Sequence, residues 1–248
     1  MATMRDRLFT ASVNWMQGHV FPLLIRRSRV DQRKQTLAEQ PAAWQDRLRD
    51  LGVPVEQLNW GPMTLLPRRV SCLIDGIESA PPNAVLEVGS GASTVVIAAL
   101  AAKYGFSVVS LENFHGSYDW VRSLLESSPG GSSVQLRQVG FVRRRYPDGK
   151  AYRWYDIDLS EFGRKFDFVL IDGPSSKLVG RNGALPEIRA YLADRHRIYV
   201  DDALGEHGRY CLKQWREYYP DLEVEEMEGC GRLACLRLGA PPANRPPG

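Results

Sequence analysis

Between residues 84 and 219, short β-branched apolar runs alternate with helical stretches. No other feature of the chain limits its fold as strongly. Runs at 84–88, 107–111, 134–139, 166–171 and 197–200 read as strands, and helical patterns occupy 94–104, 118–126, 184–193 and 208–219. Runs this apolar are strands buried on both faces, and β–α alternation makes them parallel, with helices covering each side. Residues 222–227 and 232–238 are joined by Glu228-Gly229-Cys230-Gly231, a hairpin signal that adds an antiparallel strand at the end. The expected class is α/β, a doubly wound, mostly parallel, seven-stranded sheet with an antiparallel last strand.

The flanks differ from this core. Residues 1–59 read as an N-terminal helical extension with breaks near Pro22, Pro41 and Gly52-Val53-Pro54. A further helix is expected over 67–79, where Val70, Leu73, Ile74 and Ile77 form the apolar stripe. The tail 240–248 carries four prolines and is expected to be disordered. The most apolar early stretch, 8–25, contains Asn14, Gln17, Gly18, His19 and Pro22, which argues against a transmembrane segment. Arg26, Arg27 and Arg29 follow it. Two uses stay open for this stretch: a helix packed on the domain or on a second copy in a homodimer, and peripheral contact with a membrane surface.

Composition closes off some function classes. With 44% hydrophobic and 25% charged residues among 248, the chain can bury a full core. A net charge of +3 gives no basis for a nucleic-acid partner. The four cysteines, Cys72, Cys211, Cys230 and Cys235, have no metal-ligand spacing and read as reduced thiols of a cytoplasmic protein.

The first strand leads into Glu87-Val88-Gly89-Ser90-Gly91-Ala92-Ser93-Thr94. Gly89 and Gly91 allow a sharp turn and close approach of a ligand to the backbone, and Ser93 or Thr94 can cap the helix that follows. Glu112, at the end of the next strand with Asn113 beside it, stands where an acid accepts hydrogen bonds from ribose hydroxyls. A dinucleotide fingerprint would want a small residue where Thr94 stands and has little use for Glu87, so an NAD(P)-dependent oxidoreductase is the second reading. A non-catalytic interaction module is the third.

Residues 60–239 resemble a class I S-adenosylmethionine-dependent methyltransferase, with a Rossmann-like domain over about 70% of the chain. The resemblance is carried by the Glu87–Thr94 loop, by Glu112 and by the closing hairpin. Trp60-Gly61-Pro62-Met63-Thr64-Leu65 is similar to a segment preceding the core in one bacterial branch, where it would lie near the cofactor. The resemblance implies that S-adenosylmethionine is held by Glu87, Gly89, Ser90, Gly91, Ser93, Thr94, Glu112 and Asn113, with Gly140, Phe141 and Asp172 bordering it.

Asp172 ends the run at 166–171, and Asp201-Asp202 ends the run at 197–200, 29 residues on. That is the length of one crossover, which makes the two strands plausible neighbours. The arrangement resembles metal-dependent O-methyltransferases of the catechol and macrolide-sugar type, which implies Mg2+ on Asp172, Asp201 and Asp202. Such a cation would lower the pKa of an acceptor hydroxyl and orient it. Gly173-Pro174 departs from that pattern. Acids at strand ends can also cap helices or orient the acceptor directly. Catalytic candidates are Asp172 and Lys177, with His207 as a further base and Arg181 for an acidic substrate group or for docking its loop. The acceptor expected is a small-molecule or glycan hydroxyl. Residues 140–163 read as a long connection in which aromatics pack on the sheet and Arg143, Arg144 and Arg145 face water.

Overall fold

The computed structural model describes residues 2–20, 42–58, 65–146, 148–175 and 179–239. The breaks expected at Pro22 and Pro41, the stretch from Trp60 to Thr64, Lys177 and the tail lie outside these residues.

In chain order the elements are α1 (Met4–Trp15, continued by a π-helical turn Met16–Val20), α2 (Ala42–Asp50), α3 (Pro67–Ser79), β1 (Ala84–Val88), α4 (Ala92–Tyr104), β2 (Ser107–Glu112), α5 (His115–Leu125), β3 (Val134–Gln138), β4 (Phe141–Arg145), β5 (Ala151–Tyr155), β6 (Phe166–Ile171), α6 (Ala184–Ile188), β7 (Leu192–Val200), α7 (Glu206–Tyr218), β8 (Leu222–Glu226) and β9 (Ala234–Leu238). The main sheet has seven strands in the order β3-β2-β1-β6-β7-β9-β8. β3, β2, β1, β6 and β7 run parallel, and β9 lies antiparallel between β7 and β8. The doubly wound sheet and its antiparallel closing strand are as the sequence pattern predicts.

The chain runs outward from β1 through β2 to β3, then returns to β6 on the other side of β1. The order therefore reverses between β1 and β6, and open sheets of this kind bind ligands where it does. Every residue of β1 is buried, because two cores cover the sheet. One contains Leu86, Val88, Val169 and Ile171 under α7 and the β4–β5 hairpin. The other contains Val85, Phe168 and Leu170 under α3 and α4, joined by Trp44, Leu48 and Leu65. α3 enters at Pro67, whose fixed φ suits a first turn, and buries Val70, Leu73, Ile74 and Ile77.

Three expectations need correcting. The connection 140–163 contains an antiparallel hairpin, β4 on β5, with Phe141 opposite Tyr155 and Arg143 opposite Arg153. Its turn is Asp148-Gly149, with Gly149 at φ +84°. The helix expected over 184–193 stops at Ile188, and β7 already begins at Leu192. Cys72 on α3 and Cys230 in the β8–β9 turn form a disulfide, with Cα atoms 6.5 Å apart, so only Cys211 and Cys235 are free thiols. The reading of four reduced thiols fails because two residues 158 positions apart meet where the hairpin folds onto α3.

No helix among the described residues is long and apolar enough to cross a membrane. α1 lies on β4. Val13 is buried, Phe9 meets Phe141 edge-on at 6.1 Å, and Arg153 stacks over Phe9 at 3.7 Å. Met4, Leu8 and Trp15 face outward.

Candidate active site

The carboxyl ends of the strands are tied together in sequence by backbone hydrogen bonds. Gly89 N donates to Leu111 O (2.8 Å), Val139 N to Glu112 O (2.8 Å), Asp172 N to Val88 O (2.9 Å) and Asp201 N to Ile171 O (2.9 Å). The residues following β1, β2, β3, β6 and β7 therefore form one rim. On it stand Gly89, Ser90, Gly91, Glu112, Asn113, Gly140, Asp172 and Asp201.

At the switch point the β1 and β6 loops touch. Gly89 has φ +95°, and a Cβ there would lie 2.6 Å from Gly173 N. A Cβ on Gly173 would lie 2.9 Å from Gly89 Cα and 2.7 Å from the Tyr155 hydroxyl. The Gly173-Pro174 departure thus has a steric cause: no larger residue fits between these two neighbours. Around Gly91 a Cβ would meet nothing within 4 Å, so its backbone is open to a ligand.

The acids of the loop divide their work. Glu87 is fully buried, and β-strand alternation turns it toward α4, in register with Ser110 of β2. Its oxygens accept 2.6 Å hydrogen bonds from Ser93 Oγ, Thr94 Oγ1 and Ser110 Oγ. Burial raises its pKa against the pull of these donors. Gly91 N donates to Thr94 Oγ1 at 2.9 Å. Glu87, Ser93 and Thr94 consequently hold the loop's shape from beneath, and Thr94 Oγ1 takes the Gly91 N–H at the start of α4.

Glu112 has the role nearer the surface of the rim. One oxygen accepts from Ser90 N (3.0 Å) and Ser90 Oγ (3.1 Å), the other from Asn113 N (2.8 Å) and Phe114 N (2.7 Å). Burial raises its pKa from 4.5 to about 7 despite these donors. Beyond it a cavity of about 520 Å³ is lined by Asn14, Thr10, His115, Gly140, Phe141 and Asp156. α1 helps to wall this cavity. Thr10 Oγ1 accepts from Phe141 N at 2.9 Å, and Asn113 Nδ2 donates to Asn14 Oδ1 (3.2 Å) and Gln17 Oε1 (2.7 Å). Phe141 stacks on Tyr155 at 5.3 Å. These features are of the kind a nucleoside cofactor uses: open space at Gly91, an acid at the end of β2 and an open pocket lined by Asn14, His115, Gly140 and Phe141.

On the opposite side of the switch point Asp172 and Asp201 follow the paired strands β6 and β7, and Asp201 N donates to Ile171 O beside Asp172. Burial and the Asp201 charge push the Asp172 pKa well up, and Arg181 partly offsets this. Two arginines occupy the site. Arg69 Nη1, from the first turn of α3, bonds to Asp201 Oδ1 and to Asp202 Oδ1 (3.1 Å). Arg181 bonds to the main-chain oxygens of Asp172 and Asp201, to Pro174 O (3.3 Å) and to Asp172 Oδ1 (3.2 Å). Asp202, at φ +53°, keeps its side chain about half exposed.

The three aspartates do not fit the expected Mg2+. No group of three acids, histidines or cysteines among the described residues could hold a metal ion. A guanidinium already holds one oxygen of each aspartate, so a hard cation would have to compete with Arg69 and Arg181 for the cluster. Arg181 docks the β6 loop, one of its two expected uses, and His207 is an exposed residue of α7. Sequence reading missed Arg69, Tyr155, Asn14 and Gln17. For Arg69 a signal existed: it shares the apolar stripe of α3 at four-residue spacing with Leu73 and Ile77, and a charge on such a stripe needs a buried partner.

No protein-family model matches the chain, and no curated protein matches it in sequence. Solved structures match it in fold. The SAH-bound methyltransferase PaMTH1 of Podospora anserina aligns at a TM-score of 0.52 and 13% identity, over 86% of this chain and 97% of that one. An O-methyltransferase of Bacillus cereus in complex with SAH aligns at 0.51 and 15%, over 84% and 95%. TomG, an O-methyltransferase of Streptomyces achromogenes involved in tomaymycin synthesis, in complex with SAM, aligns at 0.51 and 12%, over 82% and 92%. Glycine loop, switch point and closing antiparallel strand together thus form the fold of the class I S-adenosylmethionine-dependent O-methyltransferases.

Proposed function

We propose that the chain is an S-adenosylmethionine-dependent methyltransferase that methylates a hydroxyl of a small-molecule or glycan acceptor. The observation that carries this reading is the juxtaposition across the β1–β6 switch point. The open space at Gly91 and Glu112 lie on one side, and the partly buried Asp172 on the other. Structures with the same fold were solved with SAH or SAM.

In this reading Gly89, Ser90 and Gly91 receive the amino-acid end of the cofactor, and Glu112 accepts from the ribose hydroxyls. Asn113, Gly140 and Phe141 border the base. Glu87, Ser93 and Thr94 keep the loop in shape. When bound, the cofactor supplies an electrophilic sulfonium methyl. The chain's own task is to aim an acceptor oxygen at that methyl and to take its proton. Asp172 is the base, because a carboxyl raised by burial accepts a proton more readily at neutral pH than an ordinary one. Lys177, five residues on, is the second candidate for this role.

Calorimetric titration of the full chain with SAH tests the reading, with NADH as the control for the oxidoreductase alternative. Binding of SAH and not of NADH is expected, weakened at least about tenfold by Glu112→Ala, since a charged acceptor is lost. No SAH binding at high micromolar concentration would overturn it.

A further inference from the structure

We infer that Arg69 takes the place of a divalent cation on the acceptor side, so that the chain carries out its chemistry without one. The inference rests on the methyltransferase reading and concerns only the charge beside the acceptor. Arg69 Nη1 is shared between Asp201 and Asp202, and Arg181 holds Asp172. All three carboxylates therefore already have a cationic partner. A hard cation binds through several converging oxygens and would have to displace the guanidinium. The Arg69 side chain is only 5% exposed, and an arginine cannot shed its proton. Displacement would therefore leave a buried charge unpaired, which folded proteins do not tolerate well.

Nor is Arg69 free to swing aside. It sits on the first turn of α3, whose apolar stripe is buried against the sheet and whose Cys72 is bonded to Cys230. Its Nε is buried and has no hydrogen-bond partner among the described residues. That buried donor is out of reach of an acceptor among those residues, so what Arg69 offers the site is the fixed positive charge of the group held at Asp201 and Asp202. A fixed positive charge can stabilise negative charge developing on a nearby oxygen, as a metal would, without needing a chelating pair of oxygens. Arg69 is accordingly a positioning and charge-supplying residue, and its effect differs in kind from that of a structural ion pair.

The test is manganese binding, followed by electron paramagnetic resonance on the full chain with SAH present. Wild-type protein is expected to leave the free Mn2+ signal undiminished up to about millimolar metal, weaker than the buffer and sensor classes of cation site. Arg69→Met removes the cation and keeps the bulk. It should bind Mn2+ at least roughly tenfold more tightly than wild type, because Asp201 and Asp202 are left without their shared partner beside Asp172. Adding Asp201→Asn should abolish that gain. Circular dichroism verifies folding, and Arg69→Gln replaces Arg69→Met should the latter not fold. Stoichiometric Mn2+ binding by wild type that Asp201→Asn removes would overturn the inference, with no variant at Arg69 needed. A folded Arg69→Met protein that still ignores Mn2+ would overturn it as well. Failure of wild type to bind SAH without metal would instead count against the methyltransferase reading, so the two failures are separable.

Discussion

Gln17 accepts a 2.7 Å hydrogen bond from the Asn113 side chain, and the same amide reaches Asn14 at 3.2 Å. The end of α1 is thereby fixed to the residue after Glu112, and α1 becomes a wall of the cavity beside it. The helix so fixed is expected to hold Asn113 in place for a bound nucleoside. Replacing both Asn14 and Gln17 by alanine should weaken SAH binding about five- to tenfold, the worth of one or two neutral hydrogen bonds. Calorimetry reads the change, and a thermal melt within a few degrees of wild type would show that α1 remains docked through Val13 and Phe9.

In the role proposed for Glu112, cofactor affinity and stability respond to pH in opposite directions. Burial raises its pKa from 4.5 to about 7. In that role ribose hydroxyls would donate to the ionised carboxylate, so SAH affinity should be level above pH 7.5 and fall by up to about tenfold per pH unit below 7. Stability has the other sign. The folded protein holds the proton more tightly than the unfolded chain, so this group's contribution is full below pH 4.5 and is lost as pH rises through about 7. Glu87 and Asp172, also raised by burial, act in the same direction. The ligand-free protein should therefore melt higher at pH 6 than at pH 8, and Glu112→Gln should flatten the affinity profile while narrowing that difference.

Much of the core was legible in sequence because its signals are local. β1 and β6 read as continuous apolar runs, since both faces of their sheet are covered, and the observed bounds coincide with those runs. Glu112 and the open backbone of Gly91 were legible because a strand–loop–helix corner places them. The partners were not. That Ser110 stands beside Glu87 follows from the β1–β2 register, which no local pattern shows. Arg69 lies 132 residues from Asp201, and nothing local announces that pairing. The β4–β5 hairpin was hidden because Arg143, Arg144 and Arg145 break the apolar alternation that usually marks a strand.

The Cys72–Cys230 bond closes a 158-residue separation, so it restricts the unfolded chain strongly. Reduction, or Cys230→Ser, should cost about 2–4 kcal/mol of stability. Chemical denaturation with and without reductant measures this directly. Thiol counting on denatured, unreduced protein should give the two free cysteines, Cys211 and Cys235, and four after reduction. A count of four before reduction would restore the reading of reduced thiols.

Three glycines separate folding from binding. Gly173 is wedged between Gly89 Cα and the Tyr155 hydroxyl, and Gly89 combines a left-handed φ with contact to Gly173 N. Alanine at either should destabilise the protein by about 1–3 kcal/mol, because backbone must move to admit the methyl group. Gly91 has an extended backbone and open space where a Cβ would stand. Gly91→Ala should therefore stay within about 0.5 kcal/mol of wild type, as unobstructed surface changes do. The same methyl group would lie where a cofactor must approach the chain, so SAH binding should fall at least about tenfold. Denaturant melts and SAH titration of the three variants give the two readouts. Equal SAH affinity in Gly91→Ala and wild type would remove the cofactor from this loop.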